Sequence, residues 1–320
     1  MNFEKPPQDN SENIELSEKT TLEKLKELPI YKRVRQMLIY MAVSASLVTI
    51  AELTNKSDNS LERDRQEEIQ PELDAEQAEK LREQRAYIEK NIGPHVLDFL
   101  ARRHLIEQKE ISNNVDIEGE ERFDIEESTL KSLWSEEGNY PKGWINESIE
   151  KVRLVGSSDI KKPVYAKEST VMAGGTRENI MNLAVFEDVP QDQKLKSLDW
   201  IFSHEIGHLN DWENSSNVNF NERIDLLVSV HKRMNEPNHF EDVISSYDDM
   251  KDVGNEEQRQ FYLAREYWGN LCEYYFTFPD ILKERSPEDF ELVDSWVKKR
   301  DPQFDPFIAS EKRNSLMEQE

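Results

Sequence analysis

The chain has 320 residues, 36% of them hydrophobic and 33% charged, which is enough apolar material for one moderate core but not for order from end to end. With 66 acidic against 41 basic residues the net charge is -25, a balance that repels phosphate backbones and excludes nucleic acid as a partner. The single cysteine, Cys272, excludes an intramolecular disulfide and any multi-cysteine zinc cluster, and its place on an apolar helix side marks it as a core residue.

Residues 1–30 are rich in Glu, Lys, Ser and Asn without periodicity and read as a disordered tail. Residues 31–55 hold a basic cluster, Lys32-Arg33-Val34-Arg35, followed by an uncharged run of 15 residues from Met37 to Ala51. A spanning helix needs about 20 such residues, and a signal peptide about 7–15. Three arrangements fit: a signal anchor or short uncleaved span, a cleaved signal peptide, or a buried or interfacial helix of a cytosolic protein. The basic cluster ahead of the run favours the anchor. The expectation is a membrane tether through residues 37–51 and a membrane-anchored or exported protein, with a cytoplasmic location as the alternative.

Residues 56–140 read as a charged helical region, cut by Pro71 and Gly93-Pro94. The piece carrying Val96, Leu97, Phe99, Leu100 and Leu105 should be its best-packed part. Strands are expected at Ile149–Val155, Val164–Met172 and Asn179–Phe186, with Gly174-Gly175 as a break and Pro190 closing the β-rich stretch. From about Asp192 onward the pattern is helical. The expected fold class is α+β and mostly helical, with a small sheet ahead of the first long helix and helical segments before it. Residues 141–310 are taken as one domain and 311–320 as a disordered tail.

The chemistry concentrates in a helix predicted from about Gln193 to Trp212. Leu195, Leu198, Phe202, Ile206 and Leu209 recur at three- and four-residue steps and form its core stripe. On the opposite side His204 and His208, four residues apart, can occupy adjacent corners of one tetrahedral zinc ion. Glu205 stands about 100° round the helix from His204, beside the metal, where it can hold a water and accept its proton. This His204-Glu205-Ile206-Gly207-His208 segment is a zinc-peptidase pattern, and a catalytic site of that kind needs a third protein ligand. The positions three and six after His208 hold Asp211 and Asn214 rather than Gly and His, which excludes the metzincin arrangement.

A later helix supplies candidates. Asn255 and Gln258 resemble a capping box, and the helix should run to about Phe278, with Phe261, Ala264, Trp268, Leu271 and Tyr275 on its core stripe. Glu266 and Glu273 lie together on its opposite face, where helical phase does not separate them. Gly269 and Asn270 keep that face small, which suits the close approach of another helix. Asp211 is in phase with His204 and could orient it by a hydrogen bond, or be an ordinary surface residue.

His204-Glu205-Ile206-Gly207-His208-Leu209-Asn210-Asp211, Ser245-Ser246-Tyr247 and Arg265-Glu266-Tyr267-Trp268-Gly269-Asn270 together resemble the catalytic domain of the anthrax-toxin lethal-factor-like gluzincins. The likeness covers roughly residues 195–300. It implies a zincin-like metallopeptidase domain in which Glu266 is the third zinc ligand. It further implies that a tyrosine ahead of the later helix stabilises the tetrahedral intermediate; Tyr247 matches its Ser-Tyr context and Tyr262 is a rival. Two features depart from the family pattern: the gap from Tyr247 to Glu266 is longer, and Asn270 stands where a second Glu is frequent.

The expected function is that of a zinc-dependent endopeptidase acting on a peptide or protein substrate. One zinc ion would be held by His204, His208 and Glu266, with Glu205 as general base and Tyr247 assisting. The strand at Ile180–Phe186 would pair with extended substrate along a sheet edge. The alternatives are a non-catalytic zinc-stabilised interaction module and a zinc hydrolase acting on a non-peptide substrate.

Overall fold

The computed structural model describes residues 75–104, 115–156, 174–177, 180–186, 189–212, 219–240 and 255–318. The expected tail 1–30, the apolar run 37–51, the expected strand Val164–Met172, and Tyr247 with its Ser245-Ser246 context all lie outside them. Among the described residues no helix is long and apolar enough to cross a membrane.

The chain begins with α1 (Ala75–Asn91) and α2 (Val96–His104), then β1 (Asp116–Glu118), a short 3-10 turn (Glu120–Phe123) and α3 (Glu127–Leu133). Three further strands follow: β2 (Lys151–Gly156), β3 (Gly174–Arg177) and β4 (Ile180–Val185). Helices complete it: α4 (Gln191–Leu209), α5 (Phe220–Met234), α6 (Glu256–Thr277), α7 (Pro279–Arg285), α8 (Pro287–Lys298) and α9 (Pro306–Met317). The α+β, mostly helical class is as expected.

The four strands are ordered β1-β2-β4-β3. β1, β2 and β4 are parallel, with Val152 opposite Ile117 and Met181, and β3 closes one side antiparallel to β4. This corrects two expectations. Gly174 and Gly175 do not break the chain; they open β3, paired with Leu183 and Asn182. β4 is not a sheet edge, because β2 and β3 flank it on either side. Its side chains Met181, Leu183, Ala184 and Val185 are fully buried, as expected of a central strand covered on its faces.

α4 packs on β3 and β4 with one side and on α6 with the other, so from Ser197 to Leu209 it is buried all round rather than amphipathic towards solvent. α6 is the central helix, touching α5, α7, α8 and α9 as well as α4. Its start is the capping box read from the sequence: Asn255 Oδ1 accepts from the Gln258 N–H at 2.9 Å, and Gln258 Oε1 accepts from the Asn255 N–H at 3.1 Å.

One hydrophobic cluster runs through all of this, from Leu81 of α1 to Met317 of α9. Trp134, next to α3, stacks on Phe202 of α4 with ring centroids 4.5 Å apart, and Phe99 of α2 meets Phe261 of α6 edge-on at 5.8 Å. Residues 75–101 and 115–140 therefore share the core of the later helices. The expected tail from residue 311 is instead helical to Met317, because α9 starts on a strong local signal. Asp305 Oδ1 accepts from the Phe307 and Ile308 N–H groups, with Pro306 at the first helical position.

Candidate metal centre

The three expected donors converge. His204 Nε2 and His208 Nε2 are 3.0 Å apart, with their rings nearly perpendicular. Glu266 Oε2 lies 3.5 Å from His204 Nε2, and its Oε1 lies 3.4 Å from His208 Nε2. Donor atoms about 2.0–2.1 Å from a tetrahedral zinc stand roughly 3.3 Å from one another, so these separations fit one ion in both size and ligand chemistry. All three side chains are buried, and among the described residues they form a cluster able to hold a metal.

Two glycines permit this approach. A Cβ on Gly269 would stand 2.8 Å from His208 Cε1 and 2.9 Å from His204 Cε1 and Nε2. A Cβ on Gly207 would stand 2.8 Å from the Cβ of Cys272. The bare backbones of α4 and α6 thus bring Glu266 within reach of the imidazoles, as the small face at Gly269 led us to expect. The Trp268 indole N–H donates to the Gly207 carbonyl at 3.0 Å and pins the crossing. Cys272 is fully buried in it, a core residue as expected.

Glu273 is not a third ligand alongside Glu266. Its Oε2 faces the other nitrogen of His204, 3.7 Å from Nδ1. Asp211 accepts from Arg265 Nε at 2.8 Å and ties the end of α4 to α6. Asn270 donates back to the Glu266 carbonyl at 2.9 Å, one turn earlier on its own helix. Tyr262 is buried on α6 one turn before Glu266.

The charges of the site are strongly coupled. Burial opposes a proton on His204, but the facing Glu266 and Glu273 outweigh it and raise its pKa. Burial lowers that of His208, with Glu266 only partly opposing. Burial also opposes an ionised Glu266, yet the neighbouring His208 and His204 hold its carboxyl below the usual range. The carboxyl groups of Glu266 and Glu273 thus favour a proton on His204, while burial disfavours one on His208. Burial raises the Glu205 carboxyl to about 7, against the opposing charge of His204. A carboxyl balanced near neutrality is suited to taking and returning a proton.

The sequence reading missed what holds α4 from behind. Asp199, one turn before Ser203, accepts from Tyr140 Oη at 3.0 Å and from Arg313 Nε of α9 at 3.2 Å. Arg313 also donates to the Asn139 carbonyl at 2.6 Å and to the Phe276 carbonyl of α6. Asn210, at the other end of α4, donates to the Trp144 carbonyl at 3.0 Å and accepts from Arg300 at 2.7 Å. The Asp305-Pro306 helix start was the available signal for α9, though nothing local marks Arg313 as buried.

Searches of protein-family models, curated proteins and solved structures gave no match to this chain.

Proposed function

We propose that the chain is a zinc-dependent endopeptidase of the gluzincin type, on a zincin-like fold. The observation that carries this reading is the buried His204, His208 and Glu266 cluster with Glu205 intact beside it on the same helix. A zinc ion held there supplies a Lewis acid that polarises a carbonyl and lowers the pKa of a water.

The chain's own groups supply the rest. Glu205 takes a proton from water at its carboxylate and returns it to the leaving amine. Among the described residues β3 has a sheet neighbour only on its β4 side, and α4 packs beside it. An extended peptide adding to β3 would lie antiparallel or parallel to it through backbone hydrogen bonds, a role transferred here from β4. Residues 37–51 would tether the enzyme to a membrane.

A purely structural zinc site has no use for a buried carboxyl group beside the metal donors, which favours catalysis over an interaction module. The test is a peptide-library cleavage assay with a chelator control and metal analysis of the purified chain. Stoichiometric zinc is expected, with cleavage abolished by chelation, and Glu205→Gln should keep the metal while losing about 10²–10⁴-fold in rate. Wild-type protein that takes up no zinc, or a Glu205→Gln variant with full peptidase activity, would sink the reading.

A further inference from the structure

Glu273 is seven residues after Glu266 on α6, about two turns and roughly 10.5 Å further along the helix axis on the same face. The His204 ring reaches between the two carboxylates, with Nε2 towards Glu266 and Nδ1 towards Glu273. Both the ring and the Glu273 side chain are buried. Gly269, midway between the two glutamates, lies against Cε1 and Nε2 of the same ring. The ring is thus bounded on one side by backbone, while its two nitrogens point at two different acids.

We propose that Glu273 is a positioning residue for the metal centre, accepting the Nδ1–H of His204 and so presenting Nε2 to the metal. This rests on the zinc reading above. A neutral imidazole carries one ring proton, and the partner of one nitrogen decides which nitrogen is free to ligate. A carboxylate at Nδ1 puts the proton there and leaves the Nε2 lone pair for zinc. Flipping the ring would place Cδ2 against Glu273 and withdraw Nε2 from His208 and Glu266. Glu273 therefore sets both the tautomer and the orientation of His204.

The test compares zinc affinity, by competition with a chromophoric chelator, for wild type, Glu273→Gln, Glu273→Leu and Glu266→Gln. Glu273→Leu should bind zinc about 10–100-fold more weakly than wild type. Glu273→Gln, which keeps a neutral acceptor, should fall between them. Glu266→Gln, which alters a ligand, should lose the most. In zinc-loaded wild type, nitrogen-15 NMR should show His204 protonated at Nδ1 and metallated at Nε2. That measurement decides the matter even if the leucine variant does not fold. Unchanged affinity in Glu273→Leu, or a wild-type ring protonated at Nε2, overturns the proposal while leaving the zinc reading intact. Loss in Glu273→Gln as complete as in Glu266→Gln makes Glu273 a ligand and overturns it too. Wild type that binds no zinc overturns the zinc reading itself.

Discussion

Gly269 of α6 lies flat against His204 of α4, so close that a methyl group on it would stand 2.9 Å from Nε2. The spacing of the two helices at the candidate metal centre is therefore set by the absence of a side chain. Gly269→Ala must push the imidazoles or the helices apart, at a cost of about 1–3 kcal/mol for overpacking. Directed at the donors, that cost corresponds to roughly 5–150-fold weaker zinc binding. Chelator competition should show the loss, while circular dichroism should show an unchanged helix content.

Zinc should act as a folding ligand. Its removal leaves the Glu205, Glu266 and Glu273 carboxyl groups buried around two imidazoles with no cation bound between them. At a free zinc concentration a hundred times the dissociation constant, binding to the native state contributes about 2.7 kcal/mol. Thermal unfolding should therefore occur at a higher temperature with zinc than with chelator in the wild type, and the difference should vanish in His204→Ala.

Arg313 ties three segments together through Asp199, the Asn139 carbonyl and the Phe276 carbonyl, and its guanidinium lies 4.7 Å from the Tyr140 ring centroid. Arg313→Met leaves Asp199 as a buried carboxylate without its cation, which typically costs about 3–5 kcal/mol. Urea unfolding should register that loss. The double variant Arg313→Met with Asp199→Asn should recover part of it, since it removes the orphaned charge.

His231 of α5 is buried against α1, with Nδ1 accepting from the Tyr87 hydroxyl at 3.0 Å and Nε2 donating to Gln260 Oε1 at 3.1 Å. Both bonds suit the neutral ring, and burial lowers its pKa below the ordinary 6.5, with Gln260 opposing. The unfolded chain then binds the proton more readily than the folded one. The stabilisation from His231 should be complete above about pH 6.5 and fall as the pH drops below it. The stability advantage of wild type over His231→Gln should accordingly shrink between pH 7 and pH 5 in urea titrations.

The parts of the site legible from the sequence are those fixed by local geometry. The His204–His208 spacing and the Asn255–Gln258 capping box each lie within one or two helical turns, where residue offsets translate directly into positions. Glu266 and Glu273 differ by only about 20° in helical phase, so no local rule separates them. Their separation came from the nitrogen of His204 that each faces, which depends on how α4 crosses α6. β3 was hidden because its partner is β4 and its own first residues are glycines. Arg313 was hidden for a related reason: an arginine in a polar stretch is mostly exposed, and its burial here depends on partners 37, 114 and 174 residues away.

Those separations also impose an order on biosynthesis. Asp199 is made 114 residues before the arginine that neutralises it. At about 5–20 residues per second, the nascent chain carries α4 for roughly 6–23 s without its clamp. Glu266, by contrast, is made 58 residues after His208 and before Arg313. All three candidate metal donors thus exist on the ribosome before Arg313 can clamp the helix that bears two of them.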